Sequence, residues 1–217
     1  MELIDQTALI TGGTAGIGLA CAAAAGINGD VRFIQADLSD SESVKSLVEQ
    51  AGDVDILVNN AASFPAALAV DQDVTAFEKT FDTDVRGTYF LAAGLVPGML
   101  ERERGSIINV TSMVASKGVP GASAYSASKA AVESLTRWAA EFGARGVRVN
   151  SVASGPTKTE GVQAEWGDTN EELGRALPLG RTAQPEEIAH AVLFLASPRS
   201  SFITGSTLHA DGGGTAI

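Results

Sequence analysis

Three side chains in this sequence have types and spacing suited to moving a proton at a carbon–oxygen bond: Ser112, Tyr125 and Lys129. Tyr125 and Lys129 stand four residues apart in the run Tyr125-Ser126-Ala127-Ser128-Lys129-Ala130-Ala131, whose composition predicts a helix that carries both on one face. An ammonium one turn away favours a phenolate and draws the phenol from its usual pKa of about 10 toward working pH. Tyr125 then exchanges a proton with a bound oxygen, and Ser112, at the end of the apolar run Ser106–Thr111, hydrogen-bonds the same oxygen. Taken alone, a Tyr-x-x-x-Lys pair is far more often one face of an ordinary amphipathic helix, so the surrounding elements decide its meaning.

Those elements alternate. Apolar runs rich in Val and Ile recur at Thr7–Thr11, Val31–Ala36, Val54–Asn59, Ser106–Thr111, Val147–Val152 and Ser206–Ala210, and helical patterns separate most of them. The alternation predicts an α/β fold, a doubly wound parallel sheet with helices on both faces, in a single domain over residues 1–217. Ser39-Asp40-Ser41-Glu42 has capping-box spacing ahead of Val44, Leu47 and Val48, and Pro185-Glu186-Glu187 forms an acidic first turn for Ile188–Ala196. Val74–Arg102 reads as helical with a bend or break at Pro97-Gly98. Pro156–Gln184 mixes Gly, Thr, Pro and acids and reads as a mobile substrate loop with short helical pieces.

Thr11-Gly12-Gly13-Thr14-Ala15-Gly16-Ile17-Gly18 follows the first apolar run and opens a helix. Glycines there permit a tight turn and let backbone N–H groups approach a pyrophosphate, aided by the partial positive charge of the helix N-terminus. The pattern Thr-Gly-x-x-x-Gly-x-Gly resembles the cofactor loop of short-chain dehydrogenases/reductases, and later motifs follow in that family's order. Asp37-Leu38 resembles its adenine-contacting pair, and Asn59-Asn60-Ala61-Ala62 is similar to its Asn-Asn-Ala-Gly turn. Ser112 lies 13 residues before the Tyr-x-x-x-Lys pair, as in family members, and Arg148–Thr159 resembles the strand and loop that contact a nicotinamide. Asp211-Gly212-Gly213 resembles the C-terminal turn, so the likeness spans nearly the whole chain.

The resemblance implies a Rossmann-like oxidoreductase that uses NAD or NADP to interconvert a secondary alcohol and a ketone. It implies that Ser112 orients substrate, that Tyr125 is the acid/base, and that Lys129 binds the nicotinamide ribose while tuning Tyr125. It assigns cofactor contacts to Gly12, Thr14, Gly16, Ile17, Gly18, Asp37, Leu38, Asn60, Ala61, Ala62, Tyr125, Lys129, Gly155, Pro156, Thr157 and Thr159. Asp84 occupies the family's tetrad Asn position, where its charge either leaves the relay intact or pairs with Lys129 and weakens it. The absence of a basic residue at Thr14 and Ala15 tilts the choice toward NAD. Rival readings are a cofactor-poor binding protein of the same fold and a dehydratase or epimerase. A homotetramer or homodimer built on the two long helices is also implied.

Composition narrows the partners. A net charge of −11 opposes binding to nucleic acid or an anionic membrane, because phosphate contacts need clustered cations. Nothing near the start reads as a leader, so a cytoplasmic protein acting on a small neutral ketone or alcohol is expected. Cys21 is the single cysteine, which suits a buried thiol, and His190 and His209 suit a helix face and a strand rather than a metal site. Glu160, Glu165, Asp168, Glu171 and Glu172 make docking of an acidic carrier protein unfavourable, while Trp166 is suited equally to lining a substrate lid and to anchoring a surface loop.

The chain also departs from the family. Thr11 and Asp37 are only 26 residues apart, about half the family's spacing, so one strand, its loop and roughly a helix are missing. The missing unit normally includes the residue that reads the adenosine ribose. Direct pairing of Thr7–Thr11 with Val31–Ala36 is sterically possible, since a crossover needs about a dozen residues. Either the polypeptide is truly short, or residues are missing from the sequence as written; the abrupt join after the alanine tract Ala20–Ala25 favours the second. Mass spectrometry separates the two: 22.2 kDa is expected of the short polypeptide, and a mass larger by a strand and a helix of the longer one.

Overall fold

The computed structural model describes residue 3, residues 5–25 and residues 31–217. Five strands form one parallel sheet: β1 (Ala8–Ile10), β2 (Ile56–Asn59), β3 (Gly105–Ser112), β4 (Val147–Ser154) and β5 (Thr207–Ala210), adjacent in chain order. Parallel neighbours need crossovers, and nine α-helices are found among the described residues: α1 (Gly16–Ala24), α2 (Ser41–Ala51), α3 (Val74–Phe81), α4 (Thr88–Glu101), α5 (Ser123–Leu135), α6 (Ala139–Phe142), α7 (Glu160–Trp166), α8 (Thr169–Arg175) and α9 (Pro185–Ala196). The expected α/β architecture is present.

Every residue of β2 and β3 is buried, as continuous apolar runs covered on both faces require. Successive side chains separate into two cores. Leu57, Ile107 and Val149 pack with Leu47, Leu91 and Met99 on the α2/α4 face. Ile56, Ile108 and Val152 pack with Ile188, Val192 and Leu195 on the α1/α9 face. Cys21 lies in this second core, where burial pushes its thiol up to about 12 and leaves it protonated and unreactive.

Three local expectations are corrected. Val31–Ala36 forms no strand: the segment is irregular, and Phe33 is 75% exposed. Its apolar pattern is adequate, but β1 has no strand neighbour besides β2 among the described residues, so no adjoining strand satisfies the segment's backbone. The join at residues 26–30 lies outside the described residues. Next, α2 is capped by Asp40, which accepts from Ser43 N at 3.0 Å, and not by Ser39. Ser39 is engaged by Asp37, donating its N–H and hydroxyl to Oδ1 at 2.8 and 2.7 Å.

The break in the long helical stretch falls earlier than Pro97. A π-helical turn over Asp82–Gly87 separates α3 from α4, and Pro97 sits inside α4 without ending it. The carbonyl that Pro97 leaves without a donor belongs to Ala93, and both residues lie on the exposed face, which leaves that carbonyl open to solvent. Pro156–Gln184 holds the short helices α7 and α8, and α9 begins with its proline and a Gln184/Glu187 capping box.

None of the described helices is long and apolar enough to cross a membrane. Truncating the central strand tests the packing account: Ile107→Ala is expected to lower unfolding free energy by about 2–5 kcal/mol, read as an earlier thermal or urea midpoint.

Candidate active site

The carboxyl ends of the parallel strands meet at one cavity of about 400 Å³. Its floor begins at the turn between β1 and α1. Gly12 and Gly16 hold left-handed backbone at φ +64° and +50°, which only glycine adopts freely. Gly18 meets a different constraint, since a Cβ there would sit 2.3 Å from the Gly12 carbonyl oxygen. Thr11 Oγ1 accepts the N–H groups of Asn60 and Ala61 at 2.9 and 3.0 Å, while Asn60 Nδ2 donates to the Thr11 carbonyl at 2.9 Å. The glycine turn and the turn after β2 are thereby locked together. Helix α1 has no side-chain cap and no acid in its first turn, so its leading N–H groups remain available to an anion.

Above this floor, β3 ends at Ser112 and α5 presents Tyr125 and, one turn on, Lys129; all three line the cavity. Lys129 Nζ lies 5.5 Å from the centre of the Tyr125 ring and donates to the Val110 carbonyl at 3.1 Å. Asp84 is buried beneath them on the π-helical turn. Its Oδ2 accepts from Ser128 at 2.8 Å and its Oδ1 accepts from Ser63 N–H at 2.7 Å, which ties α5 to the loop after β2.

The electrostatics depart from the expectation that Lys129 draws the phenol down. Burial pushes Tyr125 above its ordinary value, the Asp84 charge pushes it further, and the Ser112 hydroxyl opposes both. Burial lowers Lys129, which Asp84 resists. Burial likewise raises Asp84, against Lys129 and its two hydrogen bonds. The carboxylate thus supports the ammonium and works against the phenolate. Tyr125 is only half-buried, its remaining surface open to the cavity, so the contents of the cavity govern how strongly desolvation acts.

Of the residues anticipated as cofactor contacts, Gly12, Thr14, Gly16 and Ile17 line the cavity, as do Asn60, Ala61 and Ala62. Gly155, Pro156, Thr157 and Thr159 line it from the loop after β4, beside Tyr125 and Lys129. Three of the anticipated contacts do not: Gly18 is packed against the glycine turn, Asp37 is exposed in its own turn, and Leu38 is in the core; Asp84, anticipated in the catalytic set, lies behind Ser128 and does not line the cavity either. Sequence reasoning missed Phe64, Val114, Val119, Val162 and Leu173, which form apolar walls. They come from loops and short helices with no periodicity to mark them; Trp166, singled out as an aromatic, joins them.

A glycine turn opening a helix at the carboxyl edge of a parallel sheet defines the dinucleotide-binding α/β class. Within that class, residues 13–215 match the family model described as enoyl-(acyl carrier protein) reductase. The chain belongs to the short-chain dehydrogenase/reductase family and is an NAD(P)-dependent oxidoreductase. It is 36% identical over 195 residues to 3-oxoacyl-(acyl-carrier-protein) reductase from Thermotoga maritima, covering 88% of this chain and 79% of the relative. It is 35% identical to cis-4-hydroxycyclohexanecarboxylate dehydrogenase from Sinomonas cyclohexanicum, covering 98% of each. A solved short chain dehydrogenase/reductase family protein superposes with a TM-score of 0.94 at 55% identity, covering 100% of both chains. A structure described as a 2-deoxy-D-gluconate 3-dehydrogenase from Agrobacterium tumefaciens with bound NADP superposes with a TM-score of 0.91 at 28% identity, covering 100% of this chain and 98% of its own. The alignment with the Sinomonas enzyme runs over 243 positions, more than the 217 residues here, so that relative carries residues this chain lacks.

Asp84→Asn tests the electrostatic account, because Asn preserves an acceptor for Ser63 N–H while removing the charge. With Tyr89→Phe as background, Tyr125 is the only tyrosine, since the sequence holds two. Its phenolate ultraviolet absorbance is expected to titrate above the ordinary value of about 10, and to move to lower pH when Asp84 becomes Asn. An unmoved titration contradicts the assigned influence.

Proposed function

We propose that this enzyme interconverts a secondary alcohol and a ketone by hydride transfer, with Ser112, Tyr125 and Lys129 as the proton relay. The observation that carries the reading is that all three face one cavity at the carboxyl end of β3. In the reductive direction Ser112 holds the substrate carbonyl by a hydrogen bond, and Tyr125, kept as the phenol by its raised proton affinity, gives its proton to that oxygen as hydride reaches the carbonyl carbon. Lys129, one helical turn from Tyr125 and anchored on the Val110 carbonyl, holds positive charge beneath the phenol and faces the same cavity. Asp84 sets the balance of that pair from behind. Oxidation reverses each step and starts from the Tyr125 phenolate.

The residues present fit a dinucleotide. The left-handed turn at Gly12 and Gly16 and the uncapped start of α1 suit the pyrophosphate, and Asn60–Ala62 with Gly155–Thr159 suit the nicotinamide half. When bound, the nicotinamide supplies or accepts the hydride. Thr14 and Ala15, on the cavity wall, bring no cation for a 2′-phosphate, which favours NAD over NADP. A homotetramer or homodimer formed on α4 and α5 belongs to the same proposal. It is supported by the exposed rings of Tyr89 and Phe90 on α4, with Tyr89 stacked edge-on against Trp138 at 5.0 Å.

Tyr125→Phe is expected to cut kcat by roughly 10²–10⁴-fold, with circular dichroism unchanged and NADH still binding saturably. Full activity in that variant overturns the relay. Fluorescence titration is expected to give tighter saturation by NADH than by NADPH.

A further inference from the structure

Resting on that reading, we propose that the outer half of the cavity selects a neutral ketone or alcohol carried on an aromatic or alicyclic ring, with Phe64 and Trp166 as the specificity-determining residues. Both rings line the cavity. Phe64 stands edge-on to Tyr125 with ring centroids 6.0 Å apart and planes inclined at 61°, so it borders the oxygen that Tyr125 addresses. Trp166, at the end of α7, lies over Gly121, where even an added Cβ would come only to 3.8 Å from the indole. Gly161, in the first turn of α7, leaves similar room beside Phe64, where a Cβ would meet the ring at 3.4 Å. Helix α7 is held in this position by Glu165, whose Oε1 accepts the Ala66 N–H at 2.7 Å. Val114, Val119, Val162 and Leu173 add apolar surface to the same cavity.

Charge makes the choice sharper. Lys129 is the only ionisable cation among the described residues lining the cavity, and it is buried and committed to the Val110 carbonyl. A substrate carboxylate or phosphate placed between Phe64 and Trp166 therefore meets no partner, and burying it unpaired is costly. The mouth gives no compensation. Against Glu160, Glu165, Asp168, Glu171 and Glu172 stand Lys158, Arg175 and Arg181, of which Lys158 is paired with Glu171 at 3.3 Å and Arg181 with Glu187 at 2.7 Å. An acidic carrier protein approaching this rim meets like charge. Ring stacking and apolar contact remain as the means of holding substrate.

A matched pair of alcohols tests the proposal with the whole protein and NAD. 1-Phenylethanol and mandelate share the ring and the carbinol and differ by a methyl against a carboxylate. The expected result is kcat/KM at least about 100-fold higher for 1-phenylethanol, and a loss of at least about 10-fold on Trp166→Ala, carried mainly by KM, with NADH saturation unchanged. Equal or better use of mandelate, preference for an acetoacetyl thioester, or an unaffected Trp166→Ala variant overturns it. Binding supplies a readout independent of turnover: acetophenone is expected to quench tryptophan emission in the presence of oxidised NAD, with which it cannot react, phenylglyoxylate is not, and Trp166→Phe abolishes the quenching. Acetophenone binding without turnover of any carbonyl refutes the redox reading while leaving the pocket assignment standing. Turnover of other carbonyls without acetophenone binding refutes the pocket assignment alone.

Discussion

A strand covered on both faces must satisfy each backbone N–H and C=O within its own sheet, and β3 meets this condition between β2 and β4. Its pairing with β4 runs without interruption from Gly105–Val147 to Ser112–Ser154. Because all neighbours are parallel, their carboxyl ends finish at one edge, where the loops after β1, β2, β3 and β4 converge. The register of this ladder delivers Ser112 to that edge. A one-residue slip would exchange Ile107 and Ile108 between the two cores and withdraw the Ser112 hydroxyl from the cavity.

Behind the cavity a second constraint acts at shorter range. The π-helical turn at Asp82–Gly87 brings Asp84 inward, and the carboxylate joins the loop after β2 to α5 through Ser63 and Ser128. The same bridge that fastens α5, and with it Tyr125, to the loop after β2 places negative charge near the phenol. Positioning and electrostatics therefore pull in opposite directions: the carboxylate that fastens α5 also raises the proton affinity of Tyr125. An Asn in this place would retain hydrogen-bonding capacity without the charge, which is why the residue type matters even though Asp84 does not line the cavity.

Where the sequence misled, the cause lay in neighbours. Val31–Ala36 has strand composition, yet a strand exists only through a partner, and the outer edge of β1 has none among the described residues. Pro97 carries a breaking signal, but the signal assumes that the freed carbonyl is deprived of water, and Ala93 is exposed. At α2, Ser39 and Asp40 both suit a cap, and Asp37 decides between them by engaging Ser39. Each case is a local preference settled by a residue outside the local window.

The order of motifs alone determined the class of fold, the glycine turn, and the grouping of Ser112, Tyr125 and Lys129, because strand burial, helix periodicity and tight-turn chemistry are written in residue type and spacing. Only the folded chain decided which apolar side chains enclose the site. Phe64, Val119, Val162 and Leu173 lie far apart along the polypeptide and meet through the docking of α7 and α8 over the strand ends. The direction of the Tyr125 shift was likewise settled in three dimensions, since desolvation and the reach of the Asp84 charge depend on what surrounds a group and not on its place in the chain.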